Sequence, residues 1–242
     1  MITNQNYIEH TITTDGGEKL PFLWTHGATK EHMGDGLLVY SFIQHMRYKN
    51  CVCIGSGSGF IPRIMTQSRI DLHQQGIFKG DPTFNWGDIG STYVVDPCNG
   101  VGGDSKINDE EGFYRTHFYP RFIKETSENA YYNFFVKEDI KIDILFIDGD
   151  HSYEGVKKDF DLYSKLLNPN GVIMIHDTDK TYSETLIVSE DAKKDFFPFD
   201  GPYKLVEELK KNNEWVVMDL FNHGVIKDKP SSTGITIIKR NG

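Results

Sequence analysis

The stretch from Ile142 to Thr178 constrains the fold of this 242-residue chain more than any other part of it. Ile142-Asp-Ile-Leu-Phe-Ile-Asp148 is a short, nearly continuous apolar run closed by an acid, the pattern of a strand buried on both faces. Ser152 then offers a side-chain oxygen where a helix would begin. Val156, Phe160, Tyr163 and Leu167 recur at helical spacing, and Asn168-Pro-Asn-Gly171 reads as a stop and turn. Val172-Ile-Met-Ile-His176 is the next strand. Strand, helix and strand in that order form a parallel crossover, the unit from which doubly wound sheets are built.

The rest of the chain fits the same plan. Gly34–Tyr48 reads as a helix with Leu37, Leu38, Ser41, Phe42 and His45 on one face, leading into the strand Asn50-Cys-Val-Cys-Ile and its glycines. Thr92–Asp96 is a further strand, Phe118–Lys124 a weaker one, and a helix carrying Tyr131, Phe134 and Phe135 starts near Ser127. Toward the C-terminus, a helix over 202–211 precedes the runs Trp215–Phe221 and Gly234–Lys239. With no helix between them, those two runs predict an antiparallel hairpin at a sheet edge. The expectation is one α/β domain over 1–242, Rossmann-like, with a mostly parallel seven-stranded sheet. Residues 66–91, 97–117 and 179–200 look like loop insertions, where binding loops often lie.

Composition narrows the function. A formal charge of −9 supplies no basic stripe for a phosphate backbone, which argues against nucleic acid. No apolar run approaches the ~20 residues of a membrane span, and the opening segment lacks a secretory leader's basic and apolar regions. Three cysteines, Cys51, Cys53 and Cys98, form no fully paired framework, so a reducing cytoplasm is the expected home.

Three motifs carry chemistry. Gly55-Ser-Gly57-Ser-Gly59 joins a strand to a helix, and small residues there let a ligand approach the backbone. The dinucleotide fingerprint would need a glycine where Phe60 stands, and the Gly-Lys-Ser/Thr of a P-loop is absent. Asp96 ends the following strand, where an acid in nucleoside-binding sheets accepts hydrogen bonds from ribose hydroxyls. Asp148, Asp150, His151, His176 and Asp177 end two strands of one sheet and should converge on one crevice. Clustered carboxylates favour a cation, and Asp148 with Asp177 suit Mg²⁺. Each of these acids alone could equally be a cap or a solvated loop residue. His151, three residues past Asp148, is the expected general base, with capping of the next helix as its structural alternative.

At these residues the sequence resembles class I S-adenosylmethionine-dependent methyltransferases. It is most similar to the branch of cephalosporin-hydroxylase-like, macrolide-sugar and catechol-type O-methyltransferases. The likeness covers about residues 33–178, and its specific block is Phe146–Tyr163, opening Phe-Ile-Asp-Gly-Asp-His-Ser-Tyr-Glu-Gly, together with Leu166–Thr178. It implies that Gly55, Ser56, Gly57 and Gly59 line the cofactor's methionine and ribose, that Asp96 holds the ribose hydroxyls, and that Thr126 and Ser127 lie near adenine. It also implies Asp148 and Asp177 as metal ligands, with Asp150 and His176 close by. The branch commonly has an acid where Cys53 stands, and a second acid or amide beside the position of Asp177, whose neighbours here are His176 and Thr178.

The resulting expectation is a metal-assisted O-methyltransferase acting on a hydroxyl of a small molecule, such as a sugar, natural-product or surface-glycan intermediate. Asn85, Trp86, Asp88, Asn99 and Asp104 supply polar loop groups for it. Expected partners are that acceptor alone, without nucleic acid or membrane and with room for a homo-oligomer. A nicotinamide oxidoreductase and a noncatalytic nucleoside-binding protein are the alternatives on the same sheet.

Overall fold

The computed structural model describes residue 26 and residues 33–57, 59–78, 90–98, 120–180, 200–221, 224–226, 229–231 and 233–242. The chain divides into two compact units, Met1–Thr126 and Ser127–Gly242.

In the first unit, α1 (Asp35–Met46), β1 (Asn50–Ile54), α2 (Phe60–Phe78), β2 (Ser91–Val95) and β3 (Arg121–Ile123) follow one another. β1 and β2 run parallel from Asn50↔Ser91 to Ile54↔Val95, and β2 and β3 from Tyr93↔Arg121 to Val95↔Ile123. Cys51, Val52, Cys53 and Ile54 are all buried, as expected for a strand covered on both faces.

Two expectations fail here. The face of α1 that is buried holds Asp35, Gly36, Val39, Tyr40 and Ile43, whereas Leu37 is 48 % exposed and Ser41 and His45 face solvent. The reason is a close approach to α2: a Cβ on Gly36 would lie 2.8 Å from the Phe60 ring, so the seam runs where the side chain is smallest. Polar bonds fasten the same seam, with Tyr40 Oη donating to Asp71 at 2.7 Å and Gln44 Nε2 to the Ser68 carbonyl at 2.6 Å. The second correction is α2 itself, which continues to Phe78 through residues 66–78, expected as loop. Beyond Met65 the described buried residues of this helix are polar, namely Thr66, Ser68, Arg69 and His73; Thr66 Oγ1 donates to Thr92 Oγ1 at 2.9 Å and Arg69 Nε to the same hydroxyl at 3.1 Å, so no apolar stripe marked this part. The remaining expected insertions, 79–89, 99–117 and 181–199, lie outside the described residues, as do Asn85, Trp86, Asp88, Asn99 and Asp104.

In the second unit, α3 (Ser127–Ala130) runs into a π-helical turn, Tyr131–Phe135. Then come β4 (Ile142–Ile147), α4 (Tyr153–Tyr163), a 3₁₀ turn (Ser164–Leu166) and β5 (Leu167–His176). The unit ends with α5 (Gly201–Leu209), β6 (Trp215–Leu220), β7 (Gly224–Ile226), β8 (Lys229–Ser231) and β9 (Ile235–Arg240). Ser152 caps α4, its hydroxyl accepting from Gly155 N at 3.0 Å. The inner face of α4 holds Val156, Asp159, Phe160 and Tyr163, and the helix stops before Leu167. Asn168–Gly171, expected as a turn, lies inside β5, where the register against β4 shifts between Ile142↔Leu167 and Ile144↔Val172. Asn168 Nδ2 donates to Asp143 Oδ1 at 2.6 Å across that irregularity.

β4 and β5 are parallel, and β9 lies antiparallel between β5 and β6. The strands run in the order β3-β2-β1 in the first unit and β4-β5-β9-β6 in the second, seven strands of mostly parallel mixed sheet with the expected antiparallel pair at the edge. β7 and β8 make a separate two-stranded ribbon that the sequence reading lacked. Among the described residues, no helix is long and apolar enough to cross a membrane.

Candidate functional site

The glycine turn of the first unit is built from three residues with positive φ, Gly55, Gly57 and Gly59, a conformation that disfavours any Cβ. Gly55 N continues the sheet by donating to the Val95 carbonyl at 2.9 Å, and Gly59 N donates to Ser56 O to close the turn at 2.6 Å. Among the described residues, a Cβ on Gly57 would meet nothing within 4 Å, so they leave open space against the backbone there. Asp96 reaches this turn from the end of β2. Its Oδ2 accepts from Ser56 N at 2.8 Å and from Ser56 Oγ at 2.7 Å, and its Oδ1 accepts from Cys98 N at 2.8 Å. Cys53, where the resemblance would place an acid, turns its thiol to the Gly55 carbonyl at 3.1 Å.

Thr126 is exposed and Ser127 half-buried at the start of α3. Ser127 is held from α4: Tyr163 Oη donates to its carbonyl at 2.8 Å, and its hydroxyl bonds Asp159. Asp159 was not read from the sequence as a site residue, although an acid on the inner stripe of α4 was the available signal. Burial pushes its carboxyl up to about 7, with the Asp150 charge adding and the Ser127 bond and Lys158 opposing.

The second cluster stands where β4 and β5, paired at Ile147↔Ile175, release their chains. Asp148 follows β4, His176 ends β5, and Asp177 is held in the left-handed region at φ +56°. His151 Nε2 lies 3.2 Å from Asp148 Oδ1 and 3.6 Å from Asp177 Oδ2. His176 Nδ1 lies 3.5 Å from Asp148 Oδ1 and 3.1 Å from Asp177 Oδ1. Burial opposes charge on both imidazoles, yet the two carboxylates outweigh it and raise both pKa values, that of His176 strongly. Four of the five expected residues therefore converge. Asp150 does not: it is exposed, and its Oδ1 accepts from Ser152 N at 2.8 Å, serving the start of α4.

The donor set suits a divalent ion. One ligand atom each from Asp148, His151 and Asp177 can be chosen so that all lie within 4.8 Å of one another. Asp177 is buried, and among the described residues its Oδ1 is met by His176 Nδ1 at 3.1 Å and has no further partner.

Residues 52–178 match the sequence profile of a family described as a methyltransferase domain. Among solved structures, the chain is similar to the O-methyltransferase TomG of Streptomyces achromogenes, involved in tomaymycin synthesis and solved with S-adenosylmethionine. That match has 13 % identity and a TM-score of 0.58, and covers 86 % of this chain and 80 % of that one. An O-methyltransferase of Bacillus cereus in complex with S-adenosylhomocysteine matches at 14 % identity and TM-score 0.60, with the same two coverages of 86 % and 80 %. Among curated proteins, 36 residues are 58 % identical to an uncharacterised protein of Acanthamoeba polyphaga mimivirus, 15 % of this chain and 16 % of that protein. A match over 82 residues is 28 % identical to an uncharacterised protein of Sinorhizobium fredii, covering 30 % of this chain but 9 % of that protein. This chain thus spans only a small part of those two relatives' lengths.

Proposed function

The chain belongs to the methyltransferase-domain family, and on that premise we propose that it is a class I S-adenosylmethionine-dependent O-methyltransferase assisted by a divalent cation. The acceptor is a hydroxyl of a sugar, natural-product or surface-glycan intermediate, and the domain is a single one over residues 1–242. The family match runs without a break from 52 to 178, across the boundary at Thr126, which supports one domain. The observation that carries the reading is Asp96, clamped by Ser56 and Cys98 under a three-glycine turn that leaves open space at Gly57. A nicotinamide oxidoreductase is not favoured, because Phe60 occupies the position its fingerprint gives to glycine.

S-adenosylmethionine supplies a methyl group on a sulfonium, and the protein's task is to align it with the acceptor oxygen and to make that oxygen nucleophilic. Gly55, Ser56, Gly57 and Gly59 would carry the methionine and ribose against bare backbone. Asp96 would accept from a ribose hydroxyl, and Thr126 with Ser127 would flank the adenine. Asp148 and Asp177 would hold the cation, whose charge lowers the pKa of a bound hydroxyl. His151 Nε2 has one lone pair, which either takes the acceptor's proton, as the sequence suggested, or binds a metal ion. A cytoplasmic location and a homo-oligomeric state belong to the same proposal.

Calorimetry of the full chain with S-adenosylhomocysteine and with NAD tests the reading. The expected result is saturable binding of the first and no heat from the second. NAD binding without S-adenosylhomocysteine binding would overturn it.

A further inference from the structure

On the footing of a cation between Asp148 and Asp177, we infer that His151 Nε2 is its third protein ligand and that this two-carboxylate, one-imidazole set selects a transition-metal ion over Mg²⁺.

Distances support the assignment. Around an ion with ligand bonds of about 2.1 Å, neighbouring ligand atoms stand about 3.0 Å apart and opposite ones about 4.2 Å apart. His151 Nε2 lies 3.2 Å from Asp148 Oδ1 and 3.6 Å from Asp177 Oδ2, separations of ligands that share one coordination shell. His176 meets the pair differently. Its Nδ1 lies nearest Asp177 Oδ1, the oxygen that His151 does not address. Its Nδ1 also stands 3.5 Å from Asp148 Oδ1, but its side chain is 6 % exposed against 19 % for His151 and packs on Phe146 with ring centroids 6.0 Å apart, so it is a positioning residue for the two carboxylates.

The backbone under His151 is fixed by local structure. Ser152 N is bonded to Asp150 Oδ1, the Ser152 hydroxyl caps α4, and the start of α5 packs so closely that a Cβ on Gly201 would lie 2.3 Å from the His151 carbonyl. A histidine held this way needs no loop rearrangement to present Nε2. Imidazole nitrogen suits Mn²⁺, Fe²⁺, Co²⁺ and Zn²⁺, whereas Mg²⁺ prefers oxygen donors and keeps several waters. Bound so, His151 acts through the ion, and its nitrogen no longer takes the acceptor's proton.

Titration of the full chain with Mn²⁺ and with Mg²⁺, S-adenosylhomocysteine present, reads the affinities, and pulsed electron paramagnetic resonance of the Mn²⁺ form reads the ligand atoms. Mn²⁺ should bind roughly tenfold or more tightly than Mg²⁺, and its spectrum should carry ¹⁴N coupling from a directly bound nitrogen. The coupling should vanish in His151→Gln and persist in His176→Gln. His151→Asp, with three oxygen donors, should bring the two affinities within a few-fold of each other. Mn²⁺ binding without ¹⁴N coupling in the unmodified protein, or coupling that survives His151→Gln, would overturn the ligand assignment while leaving the carboxylate site intact. Binding of neither ion would remove the cation reading as well, and S-adenosylhomocysteine calorimetry would still stand for the methyltransferase.

Discussion

Replacing Asp159 by Asn should stabilise the protein, and by an amount that depends on pH. Asp159 is 3 % exposed on the inner face of α4, and burial lifts its carboxyl from 3.8 to about 7. The folded chain therefore holds this proton more tightly than the unfolded chain. The stability linked to it is complete below about pH 4 and drains away as pH rises toward 7, since the unfolded carboxyl ionises at less cost. Each unit of that interval is worth about 1.4 kcal/mol, so the full interval amounts to roughly 4 kcal/mol. Asn is nearly isosteric, its amide oxygen still accepts from the Ser127 hydroxyl, and it carries no charge to bury. The variant's advantage should thus be small at pH 4, grow through neutrality and level off above pH 7. For a domain of this size the spread between pH 5 and pH 8 corresponds to roughly 5–10 °C in Tm. Urea and thermal unfolding of both proteins at several pH values measure it. An advantage independent of pH, or a variant less stable at pH 8, would refute the reasoning.

Asp96→Ala should weaken S-adenosylhomocysteine binding in calorimetry by on the order of 1.5–3 kcal/mol, since it removes a charged acceptor and releases Ser56. Gly57→Ala should weaken it too, because the new Cβ enters the open space beside the turn at φ +49°; fluorescence titration measures the change. Chelation with EDTA should abolish methyl transfer and Mn²⁺ restore it, with S-adenosylhomocysteine affinity unchanged; full turnover in chelator would remove the ion from the reaction. Gly36→Ala should cost about 1–3 kcal/mol in urea unfolding by forcing α1 away from the Phe60 ring.

The strands were legible in the sequence because β1, β2, β4 and β5 are apolar runs ending in glycine or an acid, and burial on both faces leaves no other pattern to compete. The same strand ends announced Asp96, Asp148 and Asp177. Helix faces were less legible where packing is polar or glycine-based. The seam of α1 follows Gly36 and Tyr40 instead of Leu37, and α2 is anchored by Thr66 and Arg69, which no apolar period reveals. Asp150 was placed in the crevice on spacing alone, while a bond to Ser152 N two residues away decides its direction. Position along the chain put His151 in the crevice with Asp148 and Asp177, but not the distances, 3.2 and 3.6 Å, at which its Nε2 meets the two carboxylates.

The turn carrying Asp177 is fastened by chain that comes much later. Asp179 N donates to the Thr233 carbonyl at 3.1 Å, and Thr178 N stands 3.5 Å from the Gly234 carbonyl. The Thr236 hydroxyl, 58 positions beyond Thr178, bonds its side chain at 2.9 Å and also donates to Asp219 at 2.8 Å. A ribosome delivers Asp177 first and these holders afterwards. Until β9 slots between β5 and β6, a nascent chain carries the acid without the support that shapes its turn. On the proposed cation site, an ion captured at that stage would meet a looser set of ligands than the finished protein offers, and discrimination among metals would begin only with the docking of this strand.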